Sequence, residues 1–149
     1  MRAFLLPALL VISGCTGSDP AAPAPVYSMA GTWAVAISFT GPLTEPGDPS
    51  TYTLTCAGTA TFTMDDPGAG PLSGTSAGVL NCGGSVYTMN RGLSGSRDGS
   101  TVNMTDEFDT CVFTGSMTTA KAASGAIHCD YDYPGLAAYH LAGTWSATR

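Results

Sequence analysis

The most regular feature of the chain is an alternation of apolar and small polar residues that begins shortly before Trp33. Trp33, Val35, Ile37 and Phe39 alternate with threonine, alanine and serine, which is the pattern of a β-strand with one buried and one exposed face. Residues 51–64 repeat the pattern, with apolar residues at one parity and threonine at most positions of the other. No segment shows a convincing amphipathic helix pattern, so the sequence predicts an all-β protein.

Short segments rich in proline, glycine or aspartate separate the predicted strands. Residues 42–49 and 65–71 have the composition of a loop and a turn, and Asp98-Gly99 is typical of a hairpin because both residues tolerate positive φ. Further strands are predicted at residues 72–82, 86–89, 93–96, 101–105, 110–118, 124–131 and 139–148. The total is eight or nine strands.

The same four-residue sequence, Ala-Gly-Thr-Trp, occurs near both ends of this region, at residues 30–33 and at residues 142–145. Pairing of the first strand with the last would close the sheet and leave no exposed edge. Consecutive hairpins without long crossovers therefore favour an antiparallel up-and-down β-barrel of about eight strands. A β-sandwich is the alternative for the same pattern.

The cysteines divide into Cys15, which precedes the first strand, and four others within the predicted barrel. Four cysteines in an oxidising compartment allow three pairings. The midpoint between Cys56 and Cys82, and the midpoint between Cys111 and Cys129, both fall in a predicted turn. Because residues equidistant from a hairpin turn lie opposite each other, we predict the disulfides Cys56 to Cys82 and Cys111 to Cys129.

The charge of the chain argues against a nucleic-acid partner. The full sequence has a formal net charge of -6, and without residues 1–14 the balance is four basic against eleven acidic residues, or -7. The four cations are scattered along the sequence: Arg91, Arg97, Lys121 and Arg149. An acidic chain without a basic cluster repels phosphate backbones.

Residues 3–11 form an apolar run after Arg2, which is too short to span a bilayer and has the length of a signal-peptide core. The run leads into Val-Ile-Ser-Gly-Cys at residues 11–15, which resembles the lipobox of bacterial lipoproteins. The resemblance implies cleavage before Cys15, acylation of its sulfur and anchoring in a membrane through these chains. Thr16 replaces the Asp that commonly retains such proteins at the inner membrane, which implies the outer membrane in a bacterium that has one.

Three parts of the chain follow from this interpretation. Residues 1–14 are a lipoprotein signal peptide, residues 15–28 are the lipidated Cys15 with a Pro/Ala-rich linker, and residues 29–149 are the β-barrel domain. The linker is too poor in apolar residues to build a core, and it is expected to hold the domain away from the membrane.

Gly31-Thr32-Trp33 resembles the Gly-X-Trp sequence that begins the first strand of lipocalins and of the wider calycin group. The resemblance implies an up-and-down barrel over residues 30–149, with a basic residue packed over Trp33, and Arg149 is the candidate for that residue. The chain has no clear counterpart of the lipocalin C-terminal helix. It also lacks the several tryptophans of an avidin biotin site, so biotin binding is not implied.

Candidate chemistry outside the barrel interior is sparse. His128 with Asp130 and Asp132 contains metal-ligating side chains, but their spacing matches no defined metal site, and strand parity places His128 and His140 on the solvent side. The carboxylates of residues 106–109 fit no calcium loop, and no nucleophile elbow is present. A hydrolase could use only Asp106, Glu107, Asp130 and His128. We expect a non-enzymatic protein with no cofactor and no metal.

Two functions remain open for a barrel of eight strands, whose interior is either filled by side chains or holds one small ligand. The first hypothesis is a lipid-anchored envelope protein that binds a small apolar ligand or lipid, with Trp33, Phe62, Phe113 and Trp145 as the ligand-binding residues. The second is a protein-interaction module or protease inhibitor with a filled barrel that contacts an envelope protein through its loops. A cavity would favour the first, and an exposed apolar loop patch would favour the second.

Overall fold

The computed structural model describes residues 26–48, 50–68, 70–132 and 137–149. The predicted signal peptide, Cys15 and most of the linker lie outside the described residues. Within the described ranges, no helix is suited to crossing a membrane. These ranges form eight β-strands: β1 Gly31–Thr44, β2 Thr51–Asp65, β3 Pro71–Cys82, β4 Ser85–Asp98, β5 Thr101–Asp106, β6 Cys111–Thr119, β7 Ala122–Tyr131 and β8 Ala138–Thr148.

The eight strands form a closed antiparallel up-and-down barrel. Each strand pairs with the next one in the sequence, and β8 pairs back with β1. Trp33 on β1 lies opposite Phe62 on β2, and Ile37 on β1 lies opposite Trp145 on β8. The predicted fold and the predicted pairing of the first and last strands are therefore confirmed, and the sandwich alternative is wrong.

The core is built by the alternation seen in the sequence. In β2, for example, Ala60, Phe62 and Met64 are buried, whereas the threonines between them are exposed. Burying one face and hydrating the other satisfies both side-chain types of a strand with period two. The buried hydrophobic residues are Met29, Trp33, Val35, Ile37, Phe39, Cys56, Ala60, Phe62, Met64, Leu72, Leu93, Val102, Met104, Phe113, Met117, Ala123, Ile127, Cys129, Leu141, Trp145 and Ala147.

Two disulfides join neighbouring strands at opposite positions. Cys56 pairs with Cys82 between β2 and β3, and Cys111 pairs with Cys129 between β6 and β7. Both predicted disulfides are confirmed, because the hairpin turns do lie midway between the paired residues.

The prediction of two short strands at residues 86–89 and 93–96 is wrong, because β4 runs without a break as Ser85–Asp98. The apolar pattern is interrupted at Arg91, which has the inward parity of Met89 and Leu93. Arg91 lies at one end of the barrel, and its side chain remains 46% exposed. A charged side chain is tolerated at an inward position when the barrel is open to solvent there.

The predicted loop at residues 42–49 also begins too early, because β1 continues to Thr44. Pro42 has no backbone N–H to donate. The register between β1 and β8 skips Gly41 and Pro42, so the proline occupies a place where the ladder is already interrupted. Pairing with β2 continues there, with Pro42 opposite Thr53.

Candidate binding site at the open end of the barrel

The two ends of the barrel have different side chains. The first end, here called the closed end, contains residues 26–30, residues 66–68 and 70, the connections at residues 99–100 and 120–121, and Arg149. The second, here called the open end, contains residues 45–48 and 50, the connections at residues 83–84 and 107–110, and residues 132 and 137.

At the closed end, Asp66 holds three segments together. Its carboxylate accepts hydrogen bonds from the Met29 N–H at 2.8 Å, from Arg97 Nε at 2.8 Å and from the Gly68 N–H at 2.9 Å. The side chains of Asp66 and Arg97 are only 2% and 6% exposed. Burial alone would raise the pKa of Asp66, but hydrogen bonds from Arg97, Met29 and Gly68 stabilise the carboxylate and lower its pKa below the ordinary value.

Trp33 and Arg149 complete this end. The Trp33 indole N–H donates to the carbonyl of Met29 at 2.8 Å, and Met29 is fully buried. The Arg149 guanidinium carbon lies 4.7 Å from the centre of the Trp33 ring, and the same side chain donates to the carbonyls of Ala30 and Ala120. Arg149 thus takes the position over Trp33 that the resemblance to lipocalins implies.

The four predicted ligand-binding residues lie in the packed interior. Trp33, Phe62, Phe113 and Trp145 are between 0% and 3% exposed. Phe62 and Phe113 make an edge-to-face contact with ring centres 5.5 Å apart, and Phe113 makes a second with Trp145 at 6.4 Å. Phe113 thus contacts both Phe62 and Trp145, and Trp33 lies opposite Phe62 in the register of β1 and β2. Binding of a ligand by these residues stays a prediction.

A small cavity lies between this packed cluster and the open end. Its volume is about 40 Å³, and among the four predicted ligand residues it contacts only Phe113. Ser76, Arg91 and Asp106 contribute polar atoms to its lining. Pockets for drug-sized ligands occupy about 300–1,000 Å³, so this cavity has room for water rather than for an apolar molecule of that size.

A shallower depression of about 240 Å³ lies on the outside of the barrel wall. It forms where Ala34 and Ala36 lie between the longer side chains of Thr59, Ser146 and Thr148. All five side chains are small and uncharged, so the depression offers a ligand hydroxyl groups but no charged group.

Aromatic side chains surround the open end. Exposed aromatic residues occur at Tyr52 after the first connection, at Tyr87 after the second and at Phe108 in the third, with exposed fractions of 47%, 57% and 60%. Tyr131 and Tyr139 flank the fourth connection and stack with ring centres 5.2 Å apart. Each connection at this end thus places an aromatic ring at the rim of the barrel. Exposed aromatic groups at one end of a protein are candidates for an interaction site.

The open end also carries the excess negative charge of the described residues. Arg91 is its single Lys or Arg residue, and His128 and His140 are the other basic groups. Its acidic residues are Glu45, Asp48, Asp106, Glu107, Asp109, Asp130 and Asp132. At the closed end the acidic and basic residues are equal in number: Asp65, Asp66 and Asp98 against Arg97, Lys121 and Arg149.

Arg91 connects β4 to the loop at residues 107–110. Its guanidinium carbon lies 4.6 Å from the centre of the Phe108 ring, and its Nη1 is 3.8 Å from Glu107 Oε1. About half of each charged side chain is exposed, so solvent screens this ion pair and its contribution is small. The contact nevertheless places an aromatic ring and a guanidinium side by side on the rim.

The carboxylates nominated for catalysis have other contacts. Asp106 is 7% exposed, and its carboxylate accepts hydrogen bonds from the N–H and hydroxyl of Thr110, both at 2.7 Å, and from the Cys111 N–H at 3.2 Å. Asp106 is therefore a buried residue that holds its loop. Glu107 contacts Arg91.

His128, Asp130 and His140 form a cluster on the outer wall of β7 and β8. Asp130 Oδ2 is 2.7 Å from His128 Nε2, and Asp130 Oδ1 is 2.6 Å from His140 Nδ1. The hydrogen bond with His140 is the main reason that the pKa of Asp130 is lowered. Both histidines are more than half exposed, as strand parity predicted. Among the described residues, no set of three ligating side chains is arranged to hold a metal ion.

Sequence reasoning missed the aromatic rim and the ion pair at the closed end. Phe108 stands alone within an acidic turn, and an apolar residue in such a turn is the signal that could have identified it. Asp66 and Arg97 are 31 residues apart, and nothing in their local sequence indicates that they pair.

The eight-stranded closed barrel, with Arg149 packed over Trp33, is consistent with a small lipocalin-like barrel. Comparisons with protein-family models, with curated proteins and with solved structures find no match to this chain.

Proposed function

We propose that this protein is a non-enzymatic interaction module of the bacterial cell envelope, anchored through an acylated Cys15, which binds a partner protein at its open end. The observation that carries the proposal is the ring of exposed aromatic residues at that end, above a packed interior. Interaction surfaces are enriched in tyrosine, phenylalanine and arginine, and Tyr52, Tyr87, Arg91 and Phe108 supply these residue types on one rim.

The packed interior favours this function over a carrier of small molecules. The two tryptophans and Phe62 are at most 1% exposed, and the adjoining cavity measures about 40 Å³. The carrier remains the second candidate because Leu80 and Met89 line the cavity and are themselves only partly buried. A small apolar ligand would have to lie on these two side chains at the rim, or displace the packed rings.

Two disulfides support a rigid binding surface. Cys82 directly precedes the turn at Gly83 and Gly84, and Cys111 directly follows the loop that carries Phe108. Each crosslink therefore fixes the base of one connection at the open end. A surface that is ordered before binding loses less conformational entropy when a partner arrives.

The course of the chain supports an outward orientation of this surface. Met29 and Ala30 enter the barrel at the closed end, next to Trp33 and Arg149. The linker from an acylated Cys15 leads to these residues. The barrel is therefore attached to the membrane through its closed end. The aromatic rim then points away from the membrane, where a partner protein can reach it.

Site-specific photo-crosslinking in cells that make the protein tests the proposal. A photoreactive phenylalanine analogue placed at Tyr87 or at Phe108 of the full chain should crosslink to one envelope protein. The matched controls carry the analogue at Val112 on the outer wall or at Thr148 near the closed end, and they should give no such product. Equal yields at all four positions, or no product from the rim, would contradict the proposal.

A further inference from the structure

Strand β4 extends well beyond the strand on one of its sides. β3 pairs with β4 from Ser85 to Ser96, whereas β5 pairs only with residues 93–98. Beyond that point one further backbone bond joins the Glu107 N–H to the Gly92 carbonyl at 3.0 Å. Within the described residues, the part of β4 before Gly92 therefore has a strand on one side only.

The direction of the Gly92 carbonyl identifies which backbone groups face the open side. Successive residues of an antiparallel strand direct their N–H and C=O groups alternately to the two sides. The register between β3 and β4 has no shift, so Val86, Thr88 and Asn90 share the orientation of Gly92, away from β3. Three N–H and three C=O groups thus form an unpaired edge, which we call the β4 edge (residues 86–90).

Within residues 86–90 the β4 edge lacks the features that usually prevent a strand edge from pairing, and the inward-pointing Arg91 lies just beyond it. Natural edges are protected by proline, lysine, inward-pointing charges or bulges. Residues 86–90 read Val-Tyr-Thr-Met-Asn and contain no charged residue and no proline. Val86 and Tyr87 are 70% and 57% exposed. An edge of this composition is competent to accept a further strand.

The surroundings of the β4 edge indicate the charge of such a strand. Glu107 and Asp109 lie in the loop that follows β5, and Glu107 makes the last backbone bond next to the edge. Their carboxylates are exposed. Arg91 lies 3.8 Å from Glu107, but the open end as a whole remains acidic. Two copies of this chain would bring two acidic rims together, whereas a segment with lysine or arginine would be attracted.

We propose that the β4 edge binds an extended, basic segment of a partner protein as an additional β-strand. The inference rests on the proposed function, since the segment belongs to the protein held at the open end. Backbone hydrogen bonds to Val86, Thr88 and Asn90 supply the pairing. Alternate side chains of the segment face the aromatic rim, and its basic groups meet Glu107 and Asp109.

Amide hydrogen exchange of the full chain, purified in detergent and followed by NMR, tests the edge directly. The probe is an eight-residue peptide of alternating lysine and valine, and the control peptide has glutamate in place of lysine. Without peptide, the amides of Val86, Thr88 and Asn90 should exchange faster than those of Tyr87 and Met89. The lysine peptide should slow the first three, and the glutamate peptide should not. Equal exchange of all five amides, or no protection by the lysine peptide, would overturn the inference.

Two variants of one position separate backbone pairing from general charge attraction. Thr88→Pro removes an N–H from the open side only, whereas Thr88→Val keeps it and preserves the shape of the side chain. The affinity for the lysine peptide should fall at least about tenfold in Thr88→Pro and stay within about twofold in Thr88→Val. Equal affinities of the two variants would refute strand addition. The exchange measurement needs neither variant, so it decides the question if Thr88→Pro does not fold.

The photo-crosslink from Phe108 distinguishes the two proposals. If Thr88→Pro abolishes the crosslinked product and Thr88→Val keeps it, strand addition is supported. If both variants keep the product, the open end binds a partner and the β4 edge is not the means. If the wild-type protein is a dimer and Thr88→Pro is a monomer, the strand bound at the β4 edge comes from a second copy of this chain. That result would overturn the proposal of a basic segment.

Discussion

Two facing glycines make room for the indole of Trp145. Trp145 on β8 lies opposite Gly125 on β7, which in turn lies opposite Gly115 on β6. The indole N–H reaches the Thr114 carbonyl on β6 at 3.2 Å, so the ring crosses both glycines. An aromatic ring that covers a glycine in the neighbouring strand is a known way to stabilise a bent sheet. The same approach of the strands leaves no space for a Cβ atom at Gly125.

We therefore expect Gly125→Ala to destabilise the protein. The added Cβ would lie 1.9 Å from the Thr114 carbonyl oxygen, which is a backbone atom that can move only with its strand. The free energy of unfolding should fall by about 1–3 kcal/mol, the usual cost of overpacking a core. Denaturant unfolding under non-reducing conditions measures it, with Ser124→Ala on the exposed face as the control. Equal stability of the two variants would show that the strands are not this close.

The buried pair of Asp66 and Arg97 makes stability depend on pH. The pKa of Asp66 is lowered in the folded state, because the hydrogen bonds to its carboxylate outweigh burial. In the unfolded chain an aspartate titrates at about 3.9. The contribution of this group is therefore complete above that value and is lost as the pH falls through the lower pKa of the folded state.

We predict that Asp66→Asn lowers the free energy of unfolding near pH 6 by about 1.5–3 kcal/mol, since Arg97 loses a charged hydrogen-bond partner. Below pH 4 the difference between wild type and variant should shrink. Denaturant unfolding at a series of pH values measures both effects. Asp130→Asn is the control, because Asp130 is exposed and its contacts are screened. A constant difference between wild type and Asp66→Asn at all pH values would contradict the assignment.

At the scale of elements, β2 and most of β1 could be predicted because both have a clean alternation, although β1 continues to Thr44. The hairpin that contains Cys56 and Cys82 could also be predicted with its register, since two cysteines and the turn between them define one geometry. β4 could not, because Arg91 occupies an inward position at the rim. Alternation assumes that every inward residue meets a core, and this assumption fails where the barrel opens to solvent.

The unequal lengths of β4 and β5 were likewise invisible in the sequence. β5 ends at Asp106, whose carboxylate is held by Thr110 and Cys111 and turns the chain towards β6. β4 continues for eight more residues on the other side of that turn, as far as Ser85. This difference exposes the β4 edge. The difference in strand length depends on the hydrogen bonds between the Asp106 side chain and the backbone of its loop. The pattern of apolar residues does not indicate such bonds.

At the scale of the whole molecule, the closed end of the barrel contributes to stability, and the open end carries the proposed binding surface. The closed end contains the buried ion pair, the stack of Arg149 on Trp33 and balanced charge. The open end contains the exposed aromatic residues and the excess of carboxylates. The four candidate ligand residues all lie in the interior, and their binding of a ligand stays a prediction. Whether an interior is packed or hollow depends on how rings from different strands meet, and sequence patterns do not specify that.

Identifying the molecule that the purified protein retains is the most direct test of the proposed function. Native mass spectrometry of the full chain, extracted gently from envelope membranes with both disulfides intact, measures what the barrel retains. We predict a complex with another polypeptide and no small molecule in stoichiometric amount. An apolar molecule retained one to one by the barrel, without a polypeptide partner, would contradict the account and establish a carrier.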